Sequence, residues 1–277
     1  MAAFGYIPRN SFMHRLTGAS KLLLTLALSI AAMVTFDTRF IVLIIALSII
    51  LISVSKVRLS ELRAALALIS VFLIINNVAI FLFAPEQGVL IYGTRHELLQ
   101  MTARYRLTAE QLFYQLNVTL KYFAIVPVAL IFFLTTEPGE FASSLNAIKV
   151  NYKIAFAVSL SLRYIPDVQR AYREISQAQQ ARGVDISKKA PIKARLAGLL
   201  TIMFPLVFSS LDRIELISNA MELRGFGRMK KRTWYSARSF SKWDYLVVGI
   251  SVLCVLLSAL TLVVNKGRFY NPFIGQT

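Results

Sequence analysis

Long uninterrupted apolar stretches, separated by short charged ones, dominate the pattern of the chain. Such stretches are typical of helices that cross about 30 Å of hydrocarbon. The predicted spans cover residues 22–36, 40–55, 64–84, 122–136 and 245–264. The first two are short, and we expect Lys21 and Lys56 to extend their amines to the membrane interface. The chain is therefore predicted to be an all-α membrane protein with about five transmembrane helices.

A segment between the fourth and fifth spans is too charged to cross a membrane and too apolar to be a disordered linker. It predicts a helix from Pro138 to about Lys149. Two longer helices follow, at about 153–182 and 191–224, and each ends at a glycine. The predicted parts are a membrane domain with four spans, an inserted helical domain, and a last span with a tail. They cover residues 1–136, 137–243 and 244–277.

Residues 196–211, within the last helix of the inserted domain, are apolar throughout. The run is shorter than the ~20 residues of a span and contains Pro205. A crossing there would also place the basic residues 230–232 outside the cell. We therefore predict a helix that packs beneath the membrane domain and is partly buried among lipid headgroups.

The distribution of the formal charge of +17 predicts the orientation of the chain. The segment at 137–242 carries 18 basic and eight acidic residues, whereas the loop at 85–117 carries three of each. Basic residues accumulate on the cytoplasmic side, so the N-terminus and the inserted domain are predicted inside and the C-terminus outside. Lys266 and Arg268 are exceptions to this rule.

Residues suited to metal or catalytic chemistry are scarce in the sequence. Cys254 is the one cysteine and lies in the last span, and His14 and His96 are predicted on opposite sides of the membrane. The spans contain no paired carboxylates, so an intramembrane enzyme is not predicted. The basic cluster at 228–232 is expected to meet the lipid bilayer, and nucleic acid is disfavoured because no stacking module accompanies it.

Two adjacent amides, Asn76 and Asn77, lie in the middle of the third span. An amide in hydrocarbon needs a hydrogen-bond partner. That partner is either a second membrane subunit or, as is more often found, a neighbouring helix of the same chain. Both interpretations stay open at the level of the sequence.

A nine-residue pattern occurs twice, as ISQAQQARG at 175–183 and as ISNAMELRG at 217–225. In each copy an arginine ends an apolar stripe at offsets that share one helical face. The glycine that follows can adopt the left-handed conformation that ends a helix, which leaves the guanidinium at an exposed tip. We call residues 181–183 the first tip and residues 223–225 the second tip. The stripes are Tyr172, Ile175 and Ala178 before Arg182, and Ile214, Ile217 and Ala220 before Arg224.

A single arginine followed by glycine is an ordinary helix ending, but two copies that match at the preceding residues indicate two similar docking surfaces. A planar guanidinium suits a carboxylate or backbone carbonyls in a partner's groove. The chain has no phosphate-binding Gly-Lys-Ser/Thr loop of its own. We therefore expect the partner to be a pair of nucleotide-binding ATPases on the cytoplasmic side.

Several segments make the sequence similar to one family. SFMHRL followed by Lys21, TTEPGEFASSL, LSLRYIPDV and the two tips resemble the transmembrane T component (EcfT/CbiQ-like) of energy-coupling factor (ECF) ABC transporters. The resemblance covers nearly the whole chain. It departs from the family where Thr-Gly-Ala-Ser follows Leu16 in place of an Asp-Pro-type turn. The resemblance implies that the inserted domain is a cytoplasmic helical coupling domain with two long coupling helices.

The resemblance also implies a scaffold subunit of the cell membrane that is not an enzyme and binds no cofactor directly. Its coupling helices would contact two ABC ATPase subunits, a homodimer or a heterodimer, which hold ATP and Mg. Its membrane helices would hold a substrate-binding S component for uptake of a vitamin or metal ion, and Asn76 and Asn77 are candidate contacts. The ATPase contacts carried over are Ala181, Arg182 and Gly183, and Leu223, Arg224 and Gly225.

The alternative is a self-contained ABC permease with its own translocation path. Such a protein needs broken helices or polar residues in mid-membrane, and only the asparagine pair qualifies here. The scarcity of polar residues in the spans therefore favours the scaffold.

Overall fold

The computed structural model describes residues 8–100, 105–187, 190–229, 233–235 and 237–273. The elements in chain order are α1 (Phe12–Arg15), α2 (Gly18–Val34), α3 (Thr38–Ser55), α4 (Leu59–Phe83), α5 (Gln87–Tyr92), β1 (Glu97–Gln100), β2 (Arg106–Thr108), α6 (Ala109–Thr135), α7 (Pro138–Ala147), α8 (Tyr152–Ala181), α9 (Ile192–Leu223) and α10 (Lys242–Val264). The two strands pair antiparallel. The chain divides into two compact units. We call Pro138–Ala237 the insert unit, and the described residues before and after it the membrane unit.

The prediction of an all-α membrane protein is confirmed. Within the described residues, five helices are long and apolar enough to cross a membrane, namely α3, α4, α6, α9 and α10. This set differs from the predicted spans at two places. The predicted span at 22–36 forms α2, which has only 17 residues. Conversely, α9 has the length and composition of a span, because its helix continues through Pro205 for 32 residues and so extends the apolar run at both ends.

The helix α6 is longer than the span predicted at 122–136. It begins at Ala109, where the side chain of Thr108 accepts a hydrogen bond from the backbone N–H of Gln111 at 3.3 Å. The buried side-chain oxygen of Gln111 accepts a bond from the N–H of Gly88 at 2.8 Å. Polar side chains in the added turns thus find partners within the protein. The helix therefore extends into the loop that the sequence predicted at 85–117.

The core of the membrane unit lies around α2, which packs against α3, α6 and α10. Its Ala31 and Ala32 are fully buried, and Cys254 of α10 packs in the same core as a small apolar side chain. Lys21 is only 1% exposed and donates to the carbonyl oxygen of Thr135 at 2.9 Å. The prediction that its amine extends to the interface is therefore wrong, because α2 begins earlier than predicted and Lys21 falls in its first turn, beside the end of α6.

The buried carboxylate of Asp244 joins the start of α2 to the start of α10. Its Oδ1 accepts hydrogen bonds from the N–H and hydroxyl of Thr17 and the hydroxyl of Ser20, at 2.8, 2.9 and 2.6 Å. Its Oδ2 accepts from the N–H and hydroxyl of Ser241 at 2.8 and 2.7 Å. These five bonds replace water around a residue that is 0% exposed. The Thr-Gly-Ala-Ser turn that departs from the family pattern thus supplies three of the donors.

Both long helices of the insert unit end where the sequence predicts. The helices α8 and α9 begin and end within one residue of the predicted bounds. Gly183 and Gly225 follow them with φ of +89° and +66°, in the left-handed region that glycine adopts without strain. The shorter α7 ends at Ala147, and Lys149 beyond it also has a positive φ of 71°.

Replacing Asp244 with alanine leaves buried donors without an acceptor. We expect this change to lower the free energy of unfolding by about 3 kcal/mol, and Asp244→Asn to cost less, because an amide oxygen still accepts. Thermal unfolding in detergent measures both effects. Lys242→Ala, an exposed change in the same helical turn, is the control. Equal melting temperatures for all three variants would contradict the role given to this carboxylate.

Gly183→Ala should loosen the end of α8. A Cβ at Gly183 meets no atom within 4 Å, so the strain comes from the positive φ alone and costs about 1 kcal/mol. We expect the amide of Val184, which donates to the carbonyl of Gln179 at 3.1 Å, to exchange its hydrogen about fivefold faster. Gly249→Ala is the matched control, because it is equally unobstructed but lies inside α10. No change at Val184 in the Gly183 variant would count against a strained end.

Candidate functional site

The two tips have nearly the same backbone geometry. Arg182 has φ −86° and ψ 7°, and Arg224 has φ −82° and ψ 9°. In each tip the N–H of the glycine donates to the carbonyl three residues back, and the next N–H donates to the carbonyl five residues back, which is the Schellman arrangement. The bonds are Gly183 to Gln180 (2.9 Å), Val184 to Gln179 (3.1 Å), Gly225 to Glu222 (2.9 Å) and Phe226 to Met221 (2.9 Å). The repeat in the sequence is therefore also a repeat in hydrogen bonding.

Both arginines of the tips are exposed. Leu223, next to Arg224, is 89% exposed, so the second tip also presents a large apolar side chain. Among the residues that the structure describes, Arg182 and Arg224 form no ion pair with an acidic side chain. Each guanidinium thus offers its planar set of donors to a partner.

The segment after the first tip packs on the start of α9. A Cβ built at Gly198 would lie 2.9 Å from Cγ1 of Val184 and 3.1 Å from Cγ2 of Ile186. A glycine is required there because these two side chains occupy the space of a larger residue. The first tip is therefore braced against the opposite helix.

The segment after the second tip packs on the start of α8. The ring of Phe226 lies 5.8 Å from that of Tyr152 and 4.7 Å from that of Phe156, measured between centroids. Midway along the pair, the guanidinium of Arg213 lies 5.9 Å from the ring of Tyr164. The helices α8 and α9 are thus antiparallel. The segment after the first tip contacts α9 at Gly198, and the second tip begins at Leu223. At ~1.5 Å per residue, the part of α9 between these two residues separates the tips by on the order of 40 Å.

An apolar groove of about 370 Å³ lies between α8 and α9. The structure brings two of the predicted stripe residues, Ile214 and Ile217, into this groove, opposite Tyr164 and Val168. Tyr172 lines a second, shallower depression beside it. The other stripe residues are Ile175, which is half-buried, and Ala178 and Ala220, which are exposed. The wall formed by α8 was missed in the sequence, although its apolar residues recur every three or four positions.

The two tips differ in the charge three residues beyond the arginine. Asp185 follows the first tip, and hydrogen bonds from the N–H of Ser187, at 2.8 Å, and from its hydroxyl hold the pKa of this carboxyl below its ordinary value. The corresponding residue after the second tip is Gly227, with φ +92°. A Cβ there would lie 3.6 Å from the ammonium nitrogen of Lys153. One tip thus has an anion beside it and the other a cation, which the sequence comparison of the two copies missed.

The structure ties Asn77 to the neighbouring helix. Its side-chain nitrogen donates to the carbonyl of Leu73 at 2.9 Å and to the hydroxyl of Thr119 on α6 at 3.0 Å. The side chain of Gln115, also on α6, donates to the backbone carbonyl of Asn77 at 3.2 Å. By contrast, Oδ1 of Asn76 is buried and accepts no hydrogen bond from the described residues. The two candidate contacts therefore differ, since Asn77 is bonded within the chain.

The predicted headgroup cluster is described only in part, because residues 230–232 lie outside the described residues. Arg228 is exposed. Trp234, which follows the cluster, donates its indole N–H to Oδ1 of Asn146 at 3.0 Å. This bond joins the end of the insert unit to α7.

Comparison with known proteins extends the resemblance seen in the motifs. The family model of CbiQ, cobalt transport protein, matches residues 9–235, a range that includes both tips. The energy-coupling factor transporter transmembrane protein EcfT of Exiguobacterium sibiricum is 28% identical over 273 residues, which cover 95% of this chain and 98% of the relative.

Two further relatives carry the same name. The protein of Streptococcus equi is 28% identical over 90% of this chain and 94% of its own length. That of Bacillus subtilis is 25% identical over 91% and 95%. The family model spans most of the chain and the relatives match it nearly end to end. This chain therefore belongs to the CbiQ family and is a transmembrane T component of energy-coupling factor transporters.

Proposed function

We propose that this T component transmits movement between two cytoplasmic ABC ATPase subunits and a membrane-embedded S component that binds the substrate. Each tip docks in a groove of one ATPase. ATP and Mg are held by the ATPases, and this chain contributes neither a nucleotide site nor a catalytic group. Closure of the ATPases would move α8 and α9 and so reorient the S component.

The observation that carries this proposal is the matched geometry of the tips. Two exposed arginines end two antiparallel helices with the same Schellman bonds. A structural helix ending needs neither the repeat of the preceding residues nor a guanidinium left without a described acidic partner. Two tips of matching backbone geometry, on the order of 40 Å apart, suit two related grooves on a dimer.

The charges beside the tips support an ATPase pair whose two grooves are not identical. Asp185, three residues after Arg182, adds a carboxylate, whereas the ammonium of Lys153 lies beside Gly227, three residues after Arg224. A groove that accepts one tip would meet the wrong charge at the other. We therefore favour a heterodimer over a homodimer.

The proposed orientation places the N-terminus and the insert unit in the cytoplasm and the C-terminus outside. The long apolar helix α9 then lies along the cytoplasmic face instead of crossing. Its antiparallel pairing with α8, which is too polar to be a span, supports this placement. A crossing by α9 alone would put the two tips on opposite sides of the membrane and separate them from a common partner.

Binding of the substrate, a vitamin or a metal ion, is assigned to the S component. The membrane unit offers Asn76 as a contact for that subunit, because its buried Oδ1 lacks a donor among the described residues. Asn77 is a weaker candidate because both of its amide hydrogens are bonded within the chain. A self-contained permease is the alternative that the following experiment distinguishes.

Arg182→Glu together with Arg224→Glu should abolish co-purification of the ATPases with an inserted, folded T component, because each glutamate reverses the charge offered to a groove. The control is Arg173→Glu with Lys193→Glu, which makes the same change of charge at exposed positions on the same two helices. Affinity pull-down from membranes measures both. ATPases retained by the tip variant, or lost equally from the control, would refute the docking assignment.

The single variants test whether the grooves are equivalent. In a heterodimer, Arg182→Glu and Arg224→Glu should weaken ATP-driven uptake to different extents, because each tip meets a different groove. Uptake in reconstituted vesicles gives the comparison. Equal losses would favour a homodimer.

The orientation is tested by labelling single cysteines with a membrane-impermeant maleimide in a Cys254→Ser background. We expect Leu98→Cys, which is 59% exposed in the native chain, to react in intact cells. Ser187→Cys and Thr233→Cys, placed beyond the two tips, should react only after the membrane is opened. Labelling of only one of the latter pair in intact cells would mean that α9 crosses the membrane.

A further inference from the structure

Two cations from distant parts of the chain meet at the C-terminal end of α2. The ammonium of Lys121, on α6, donates to the carbonyl oxygen of Met33 at 3.2 Å. Nη2 of Arg268, in the tail after α10, donates to the same oxygen at 3.0 Å, and its Nε donates to the carbonyl of Val34 at 3.0 Å. Because both side chains reach one oxygen atom, their positive charges lie side by side.

Helix capping accounts for only some of the donors on these side chains. Cations near a helix C-terminus satisfy its last carbonyls. A guanidinium has five N–H groups and an ammonium three, and the bonds to Met33 and Val34 use three of the eight. The ammonium of Lys121 also lies 3.2 Å from the centroid of the Phe36 ring. Donors remain on both groups for a further acceptor.

The acidic side chains described at this end of the membrane unit are bound elsewhere. Asp37 accepts hydrogen bonds from Arg39 and from Asn265. Glu97 pairs with Arg95 and Arg106, and Glu110 with His96, Thr94 and a backbone N–H. Lys121 and Arg268 form no ion pair within the described parts of the chain, so these two adjacent positive charges have no counter-ion there.

An exposed apolar stripe leads along α2 to these cations. Leu26, Ile30 and Met33 share one helical face, and 41%, 53% and 64% of their surfaces are exposed. In a protein of the membrane such a face lies against acyl chains. The carbonyl of its last residue is the one that holds Lys121 and Arg268. A molecule with an anionic head and apolar chains therefore matches both parts of this surface.

We propose that Lys121 and Arg268 bind the headgroup phosphate of an anionic phospholipid whose acyl chains lie along Leu26, Ile30 and Met33. The phosphate oxygens accept hydrogen bonds from the donors that the α2 carbonyls leave free. This site gives a role to Arg268, one of the two basic residues that the distribution of charge does not predict on that side. The proposal is independent of the docking of ATPases.

The test uses the full-length chain, delipidated in detergent and titrated with phosphatidylglycerol or phosphatidylcholine, with native mass spectrometry as the readout. We expect tighter binding of phosphatidylglycerol. Lys121→Gln with Arg268→Gln should weaken that binding by on the order of tenfold, since each cation near a headgroup contributes to the attraction. Millimolar inorganic phosphate should not displace the lipid, because it lacks the chains.

Two further variants separate lipid binding from a loss of structure. Lys121→Arg with Arg268→Lys keeps both charges and should keep phosphatidylglycerol bound. Lys56→Gln with Lys242→Gln removes two exposed cations, one at the C-terminal end of α3 and one at the N-terminal end of α10. Both lie away from Lys121 and Arg268, so this variant should leave the site intact. The proposal is overturned if the double glutamine variant binds phosphatidylglycerol as tightly as the native chain, or if the charge-keeping variant loses as much affinity as the glutamine variant. It is also overturned if phosphatidylcholine binds as tightly as phosphatidylglycerol, or if inorganic phosphate displaces the lipid.

Discussion

The membrane unit depends on one buried charge. Asp244 reaches a turn that is 227 residues earlier in the chain, and a carboxylate can remain in that position only if every oxygen finds donors. Thr17, Ser20 and Ser241 supply them, so the start of α2 is fixed to the start of α10. The whole insert unit lies between these residues in sequence. The membrane unit is therefore complete only after the last helix has been made, and its core around α2 is closed by a contact between the two ends of the chain.

The insert unit follows a different constraint, which is local. A positive φ at Gly183 and at Gly225 reverses the chain immediately after an arginine. The next apolar side chain, Val184 in one case and Phe226 in the other, is then directed onto the opposite helix. The guanidinium is left at the corner because the residues on either side of it are held. Exposure of the arginines is thus a product of the same hydrogen bonds that end the helices.

These two kinds of constraint decide what could be predicted from the sequence. The bounds of α8 and α9 were predicted within one residue, because glycine and proline act on their own neighbourhood. The family could be inferred for the same reason, since its motifs are short and local. The burial of Lys21 could not be predicted, because it depends on the carbonyl of Thr135, whose approach no local pattern indicates. The same holds for Asp244, which in the sequence is one acid before an apolar run.

The sequence predicted how the two tips end their helices, but not what surrounds them. The arginines, their glycines and the α9 stripe follow from helical periodicity. The opposite wall of the groove, the role of Asp185 and the bonding of Asn77 to α6 required the packing of helices against each other. Periodicity shows which face of a helix is apolar, but it does not show which helix covers that face.

The segment after each tip packs on the start of the other helix, and this arrangement has a mechanical consequence. Val184 and Ile186 press on a bare backbone at Gly198, whereas Phe226 meets two aromatic rings at the root of α8. A force on either tip is therefore transmitted to the start of the other helix as well as along its own helix. The two helices α8 and α9 should then tilt together. The first contact places two aliphatic side chains against a glycine, and the second places Phe226 against two rings in edge-to-face and tilted arrangements. In the proposed transporter, closure of either ATPase would move α8 and α9 together, and the contacts behind the two tips would yield to different extents.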